Sequence, residues 1–425
     1  MISGGLEARV RVVEEPPSHP TMGSARRTIM AQVRTGVQRV AMVSSSFHPY
    51  IGGSERQARE VSRALVRRGI GVTVLTRWLP GLPRVEILDG VRIQRLRRCG
   101  RGLADSSSFM GSLLWHLALH GGRYDVVHAH MASSAGLAAV WGGALRRLPV
   151  FVKVAGGAGF GEFGVAQRTR SGRWKLEALR RARARLLVVS PAQAAEVRAL
   201  GWHPEPVELP NGVDLERFHP RPDWHGSGAM SVPDGPQRQP IFLAVTRLDE
   251  DKSQATTIIE RFFLAWQDSR LAGMEAELRI VGDGPAAARL QSRARELGLE
   301  DSVRWLGRVE DPAPLYRLAD VFLLLSRAEG LSNAMLEAMA SGLPVCAARV
   351  PGVVERIEPG VHGMLFDPDD ASEMAEAVSA LAGDRALRTR LGSACRQKAE
   401  AEFSLEMTVD RLLRLYGKAQ SVQPD

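Results

Sequence analysis

The chain has 425 residues, 44% apolar and 24% charged, with few aromatics, which is the make-up of a soluble protein of two or three domains. No run of 18 or more apolar residues suggests a spanning helix, and no apolar segment follows Arg26 and Arg27, which argues against a secretory signal. Cys99, Cys346 and Cys395 lie far apart and are odd in number, so neither a disulfide framework nor a zinc cluster fits, and the expected compartment is the cytoplasm. The net charge of +9 is uneven: residues 1–206 hold 31 Lys+Arg against 13 Asp+Glu, and the remainder 25 against 34. A basic half of this kind suits an anionic partner such as a membrane surface, a lipid phosphate or nucleic acid. Only 5 of the 56 basic residues are lysine, however, which fits plain arginine bias as well.

Residues 1–37 lack periodicity, hold Pro16, Pro17 and Pro20, and are expected to be disordered, with Met22 or Met30 as alternative starts. From Arg39 the pattern alternates. Apolar runs at 40–44, 72–76, 124–129, 149–154 and 185–190 predict buried strands, and amphipathic stretches at 54–68, 108–120, 133–147, 172–183 and 191–200 predict helices. This rhythm implies a parallel sheet covered on both faces. Ser54 and Gln57 suggest a capping box at the first helix, and Gly69 its end. A turn-rich stretch from Pro206 to Pro240 follows, then strands at 241–246, 277–281, 303–306, 321–325 and 344–348 with helices between them. The expected organisation is an extension (1–37), an N-terminal domain (38–206), a C-terminal domain (207–403) and a last helix within 404–425.

The chemistry-bearing residues fall after strands, where open parallel sheets bind ligands. Arg247 follows strand 241–246 and Lys252 stands five residues on; two cations there suit a diphosphate leaving group. Gly282 and Gly284 form a Gly-x-Gly after the next strand, which permits close approach of a ligand or simply a tight turn. Glu329 and Glu337 stand seven apart across a loop that opens a helix, with Ser332 as N-cap and Gly342 as stop, leaving first-turn amides able to hold phosphate. In the first half, Gly52 and Gly53 remove side chains at the start of the first helix. His128 and His130 alternate onto one face of their strand; with no third ligand nearby, no metal site is expected. Asp367-Pro-Asp369 spells an Asp-x-Asp, but turn chemistry before a helix at Ala371 explains it.

The string from Ser326 to Val345, with Arg247, Lys252 and the Gly-x-Gly in register, resembles the nucleotide-sugar signature of the family 4 retaining glycosyltransferases, and residues 39–418 resemble that family throughout. The resemblance implies the GT-B architecture: α/β, two Rossmann-like domains with parallel sheets facing a cleft, and a final helix returning to the first domain. It implies a nucleoside-diphosphate sugar as donor substrate, with no cofactor and no catalytic metal. Arg247 and Lys252 would hold the diphosphate, and Glu329 would face the transferred sugar. Glu337 would bind ribose, and the amides of Gly330, Leu331, Ser332 and Asn333 would cradle phosphate. Gly282, Gly284 and Arg308 would lie near the base, whereas the role of Glu355 stays open. Gly52, Gly53, His130, Lys153 and Gly156 would line the acceptor side. There the match departs: many relatives have Thr-x-His-Gly where this chain has Lys153-Val154-Ala155-Gly156, followed by a glycine-rich loop that either reshapes the pocket or acts as a lid.

The leading expectation is therefore a transferase acting on a carbohydrate or lipid-linked acceptor in polysaccharide or glycolipid assembly, at the inner face of the cell membrane. Helix 108–120 and Arg95, Arg97 and Arg98 are the expected contacts with an anionic surface. A nucleotide-sugar 2-epimerase or a non-catalytic nucleotide-sugar-binding protein are the alternatives; no nucleic-acid module is legible.

Overall fold

A computed structural model of the chain describes residues 36–49, 52–157, 161–222, 238–249 and 255–421. Most of the extension expected to be disordered therefore lies outside the described residues, but Val37 is already buried in the core. Fourteen strands are described: β1 (Arg39–Ser44), β2 (Gly71–Arg77), β3 (Val85–Leu88), β4 (Val91–Leu96), β5 (Val126–His130), β6 (Val150–Lys153), β7 (Arg185–Val188), β8 (Val207–Glu208), β9 (Ile241–Val245), β10 (Glu277–Val281), β11 (Val303–Gly307), β12 (Val321–Leu324), β13 (Val345–Ala348) and β14 (Gly363–Phe366). The helices are α1 (Gly53–Arg67), α2 (Leu103–His120), α3 (Ser134–Leu145), α4 (Glu162–Gln167), α5 (Arg170–Arg181), α6 (Pro191–Ala199), α7 (Ala255–Leu271), α8 (Ala287–Glu296), α9 (Ala313–Leu318), α10 (Asn333–Ala340), α11 (Pro351–Val354), α12 (Ala371–Gly383), α13 (Arg385–Glu402) and α14 (Leu405–Ser421).

Two sheets result, ordered β3-β4-β2-β1-β5-β6-β7-β8 and β11-β10-β9-β12-β13-β14. All pairings are parallel except β3 with β4. Both orders reverse beside the first strand of their half, between β1 and β5 and between β9 and β12, and such reversals open a crevice at the strands' carboxyl ends.

The first sheet buries a core on each face. One holds Phe109, Leu113 and Leu117 of α2 with Leu137 of α3. The other holds Ala58, Val61 and Leu65 of α1 with Leu405, Val409, Leu412 and Tyr416 of α14. The final helix thus returns to the first sheet, held by an apolar stripe at helical spacing. Each fully buried leucine in that stripe contributes about 1.5–3 kcal/mol. Arg68 adds ion pairs to Glu406 and Asp410. The second sheet packs one large core with Phe262 and Trp266 of α7 and Leu336 and Met339 of α10.

Several local expectations change. The capping box at Ser54 and Gln57 does not form: the N-cap is Gly52, without a side-chain cap, and Gln57 instead exchanges hydrogen bonds with the backbone of Gly212. The end at Gly69 does form, with Gly69 N–H donating to Val66 O and Ile70 N–H to Leu65 O. The Asp367 turn is present, but the cap of α12 is Asp370, which accepts from Ser372 and Glu373, while Asp369 pairs with Arg327 and Arg261. Arg95 is no surface contact: it is buried and donates to Glu86, Pro83 O and His48 O. Arg98 is likewise spent on Asp105 and Trp78 O, whereas Arg97 is exposed.

Candidate active site in the cleft between the sheets

At the reversal of the second sheet, β9 delivers Arg247, whose exposed guanidinium lies 3.6 Å from Asp249. Lys252 lies outside the described residues. The two glycines at the end of β10 are required by packing. A Cβ on Gly282 would lie 1.7 Å from Thr246 O, and one on Gly284 2.4 Å from Leu248 O. Both therefore let the β10 loop lie against the backbone that carries Arg247. Arg308 is exposed and reaches across the cleft to donate to Pro49 O at 3.2 Å.

The loop after β12 opens α10 as the sequence predicts. Ser332 is the N-cap and accepts from Met335 N–H, and Gly342 and Leu343 close the helix on Met339 O and Ala338 O. Glu329 is half-buried, with its carboxyl enclosed. Burial pushes it up to about 7, against the Ser326 hydroxyl and the charge of Arg247. Glu337 is buried at 4% exposure, and its Oε1 accepts from Arg56 Nη1 at 2.8 Å. The buried Tyr316 hydroxyl lies beside this carboxyl, and Glu337 Oε2, outside good hydrogen-bond geometry with that hydroxyl, keeps acceptor capacity for a ligand hydroxyl. Burial raises the Glu337 carboxyl, with Arg56 and the Tyr316 hydroxyl opposing.

These residues meet the first sheet directly. A Cβ on Gly157 would lie 2.4 Å from Glu329 O and one on Gly330 2.4 Å from Gly156 O, while behind them, within the second half, one on Gly352 would lie 2.1 Å from Gly330 O. The two halves touch backbone to backbone, and only glycine permits that distance. Asn333 spends its side chain on the same closure, donating to Gly53 O at 2.8 Å and accepting from Asn211, which also donates to Leu331 O. Glu355 acts across the cleft as well: its Oε1 accepts from Ala192 N–H at the start of α6, while Arg356 reaches Glu208. Sequence reading overlooked Arg56, Asn211 and Gln193, which donates to Gly156 O. Asn211 had one signal, a Pro-Asn-Gly that invited a turn assignment; the others look like ordinary polar helix positions.

At the reversal of the first sheet, Ser44, His130 and Lys153 stand in register at the ends of β1, β5 and β6. The rings of His128 and His130 stack at 4.8 Å, so alternation does place them on one face, and His128 Nδ1 meets the Tyr416 hydroxyl at 2.6 Å. Burial drives His128 down to about 3 and His130 well below its usual range. No group of three metal-ligating side chains occurs among the described residues. The glycine-rich segment is only partly a loop: Gly161 caps the short α4, and Glu162 Oε2 accepts from Ala132 and Ala155 N–H, tying together the turns after β5 and β6.

Comparisons with known proteins bear on the family and the fold. A family model described as Glycosyltransferase Family 4 matches residues 51–217, and one described as Glycosyl transferases group 1 matches residues 239–384. The chain is 31% identical over 394 residues to a D-inositol 3-phosphate glycosyltransferase of Geodermatophilus obscurus, covering 87% of this chain and 85% of that protein. It is 30% identical over 231 residues to the lipopolysaccharide core biosynthesis glycosyltransferase LpsE of Rhizobium meliloti, covering 53% of this chain and 62% of LpsE, under two thirds of its length. Among solved structures, a sucrose-phosphate synthase from Thermosynechococcus elongatus shares the fold with a TM-score of 0.73 at 24% identity, over 91% of this chain and 100% of that one.

Proposed function

This chain belongs to the family 4 glycosyltransferases, and on that premise we propose that it moves a sugar from a nucleoside diphosphate to an acceptor hydroxyl with retention of configuration. The observation that carries this reading is the facing pair of sheet reversals, closed so tightly that Gly157 and Glu329 touch. In the reaction the bond from the sugar's anomeric carbon to the diphosphate oxygen breaks, and the acceptor oxygen bonds to that carbon on the same face. The acceptor's hydroxyl proton passes to the departing diphosphate. Arg247 and Lys252, with the amides of Gly330 to Asn333, stabilise the charge that develops on the diphosphate. We assign the Glu329 carboxyl to the positive charge that develops on the sugar, and Glu337 to the ribose through the oxygen that Arg56 does not hold. Gly282, Gly284 and Arg308 border the base.

The acceptor enters from the first sheet, past Gly52, Gly53, His130, Lys153 and Gly156. Its class is a carbohydrate, free or lipid-linked, in polysaccharide or glycolipid assembly. One of the relatives above is described as acting in lipopolysaccharide core synthesis and another on an inositol phosphate. No described helix is long and apolar enough to cross a membrane, so a lipid-linked acceptor would be met by peripheral contact of the basic half.

A panel of uridine and guanosine diphosphate sugars, incubated without acceptor and in EDTA, tests the reading. One donor should be slowly hydrolysed. An epimerised donor, or turnover that requires added manganese or magnesium, would overturn it.

A further inference from the structure

Lys153 is the buried cation that the donor chemistry leaves unused. It is 5% exposed at the end of β6, and among the described residues no carboxylate lies within ion-pairing distance and no hydrogen bond engages its ammonium. Its register neighbour His130 has a buried Nε2 without a partner, and Glu162, whose carboxyl spans the turns after β5 and β6, has a buried Oε1 without one. Lys153 and His130 thus stand side by side at the reversal of the first sheet, the place where such sheets take ligands, and the Glu162 carboxyl is anchored to the turns that follow their strands. Three residues beyond Lys153, Gly156 touches Gly330, so the cluster borders the cleft wall that carries Glu329.

We propose that Lys153, with His130 beside it, forms an anion-binding subsite for a phosphate or carboxylate group carried by the acceptor. The inference rests on the glycosyltransferase reading and narrows its acceptor to an anionic one.

The residue type supports this. The chain uses 5 lysines against 51 arginines, yet the cation placed here is a lysine. Arginine stays charged wherever it is buried, whereas a buried lysine sheds its proton when empty and recovers it beside an anion. Burial lowers Lys153 to about 7, and the neighbouring histidines are neutral. Glu162 does not neutralise the site: burial lifts it to about 8, with the charge of Glu55 adding to the shift and the two backbone N–H groups opposing it.

The donor's own diphosphate is the other source of such an anion, and the experiment separates the two. Sulfate, whose charge is constant across this pH range, is titrated into the full chain at pH 6.5 by calorimetry and thermal shift, alone and with saturating uridine or guanosine diphosphate. The expected result is sulfate binding that persists with nucleotide present and weakens at least about tenfold in both Lys153→Met and Lys153→Gln, the scale of one charge-assisted hydrogen bond. Both variants should keep the nucleoside-diphosphate shift, which reports that they are folded. Sulfate binding that disappears once nucleotide is bound would assign Lys153 to the donor; equal binding in the variants would place the anion elsewhere; either result overturns the proposal. Should neither variant fold, selenate soaked into wild-type crystals with nucleotide must give an anomalous peak at hydrogen-bond distance from Lys153 Nζ, and its absence overturns the proposal as well. The nucleotide shift tests the donor reading and the sulfate arm tests the subsite, so each can fail alone.

Discussion

The two sheet reversals face one another but handle charge in opposite ways. On the second sheet Arg247 is exposed, and the other proposed phosphate ligands are Lys252 and the backbone amides at the mouth of α10. On the first sheet the ionisable groups are buried and neutral or nearly so, with His128 near 3, Lys153 near 7 and Glu162 near 8. The difference teaches what burial does to a binding group. A multiply charged leaving group is met by fixed dipoles and a hydrated cation, which need no proton exchange. A buried acceptor site holds its charge in reserve, because an unpaired ion out of water costs several kcal/mol.

The sharpest break in that comparison comes from the two cations proposed for the diphosphate. Arg247→Ala or Lys252→Ala is expected to lower turnover about a hundredfold or more, as for loss of one oxyanion donor. The melting temperature without ligand should stay within about 1 °C for Arg247→Ala, since its side chain is solvated and its contact with Asp249 is long. Near wild-type turnover would remove that cation from the diphosphate site.

The backbone contact between the halves comes next. Gly157→Ala places a methyl group 2.4 Å from Glu329 O, so the cleft must open to accept it. We expect kcat/KM to fall at least about tenfold, on the scale of misplacing reacting groups by an ångström. Gly111→Ala in α2, where a Cβ meets nothing within 4 Å, serves as the control and should leave activity unchanged.

The two glutamates should then separate. Glu337→Gln removes the charge facing Arg56 and the grip on ribose, so donor KM should rise at least as much as kcat falls, with about 1–3 kcal/mol lost from stability. Glu329→Gln should act mainly on kcat. Identical kinetic profiles for the two would dissolve the division of labour.

The pH dependence of stability is a gentler probe. Glu162 and Glu329 have folded values near 8 and 7 against an unfolded value of 4.5. Their stabilising contribution is therefore complete below pH 4.5 and is lost as pH rises through 7 to 8. Lys153 runs the other way, from about 7 to 10.5, and adds stability as pH rises above 7. His116, His128 and His130, held below their usual range, pull the other way up to about pH 6.5. The readout is therefore the difference between curves: the melting temperature of Glu162→Gln should rise relative to wild type from pH 5 to 7. A variant curve as steep as wild type would mean that Glu162 is ionised in the folded protein.

The smallest expected effect concerns the outer surface of the basic half. Arg97 and Arg101 are exposed, as are Leu103, Trp115 and Leu119 of α2 at 74%, 68% and 51%. Each arginine near an anionic surface contributes about 1 kcal/mol, screened over about 8 Å at physiological salt. Cosedimentation with anionic vesicles, reversed by about 0.5 M salt and weakened by Arg97→Glu with Arg101→Glu, is the expected result. Equal binding to neutral vesicles would leave arginine bias as the account of the charge.

Much of this was legible in the chain. The alternation of apolar runs and amphipathic stretches located both sheets, because strands buried on two faces read as continuous apolar segments. Ser332 and Gly342 marked α10 because caps are local chemistry. The missed strands were β3, β4, β8 and β14, which lie towards the sheet edges and carry residues such as Glu86, Arg92 and Glu208 that dilute the apolar signal. Arg95 was misread for a related reason: an arginine among arginines looks like surface, and nothing local announces the enclosure formed by Glu86, Pro83 and His48.

The sequence by itself determined the fold class, the cap and stop of α10, the end of α1 at Gly69, and which residue types stand after which strands, since all of these depend on neighbours a few positions away. Only the tertiary structure decided that Gly157 lies against Glu329, that Arg56 holds one oxygen of Glu337, that Glu355 caps a helix of the opposite half, and that Lys153 is buried beside two neutral histidines. Those facts join residues up to 281 positions apart. They arise from the packing of two cores and the closing of a cleft, which no local pattern encodes.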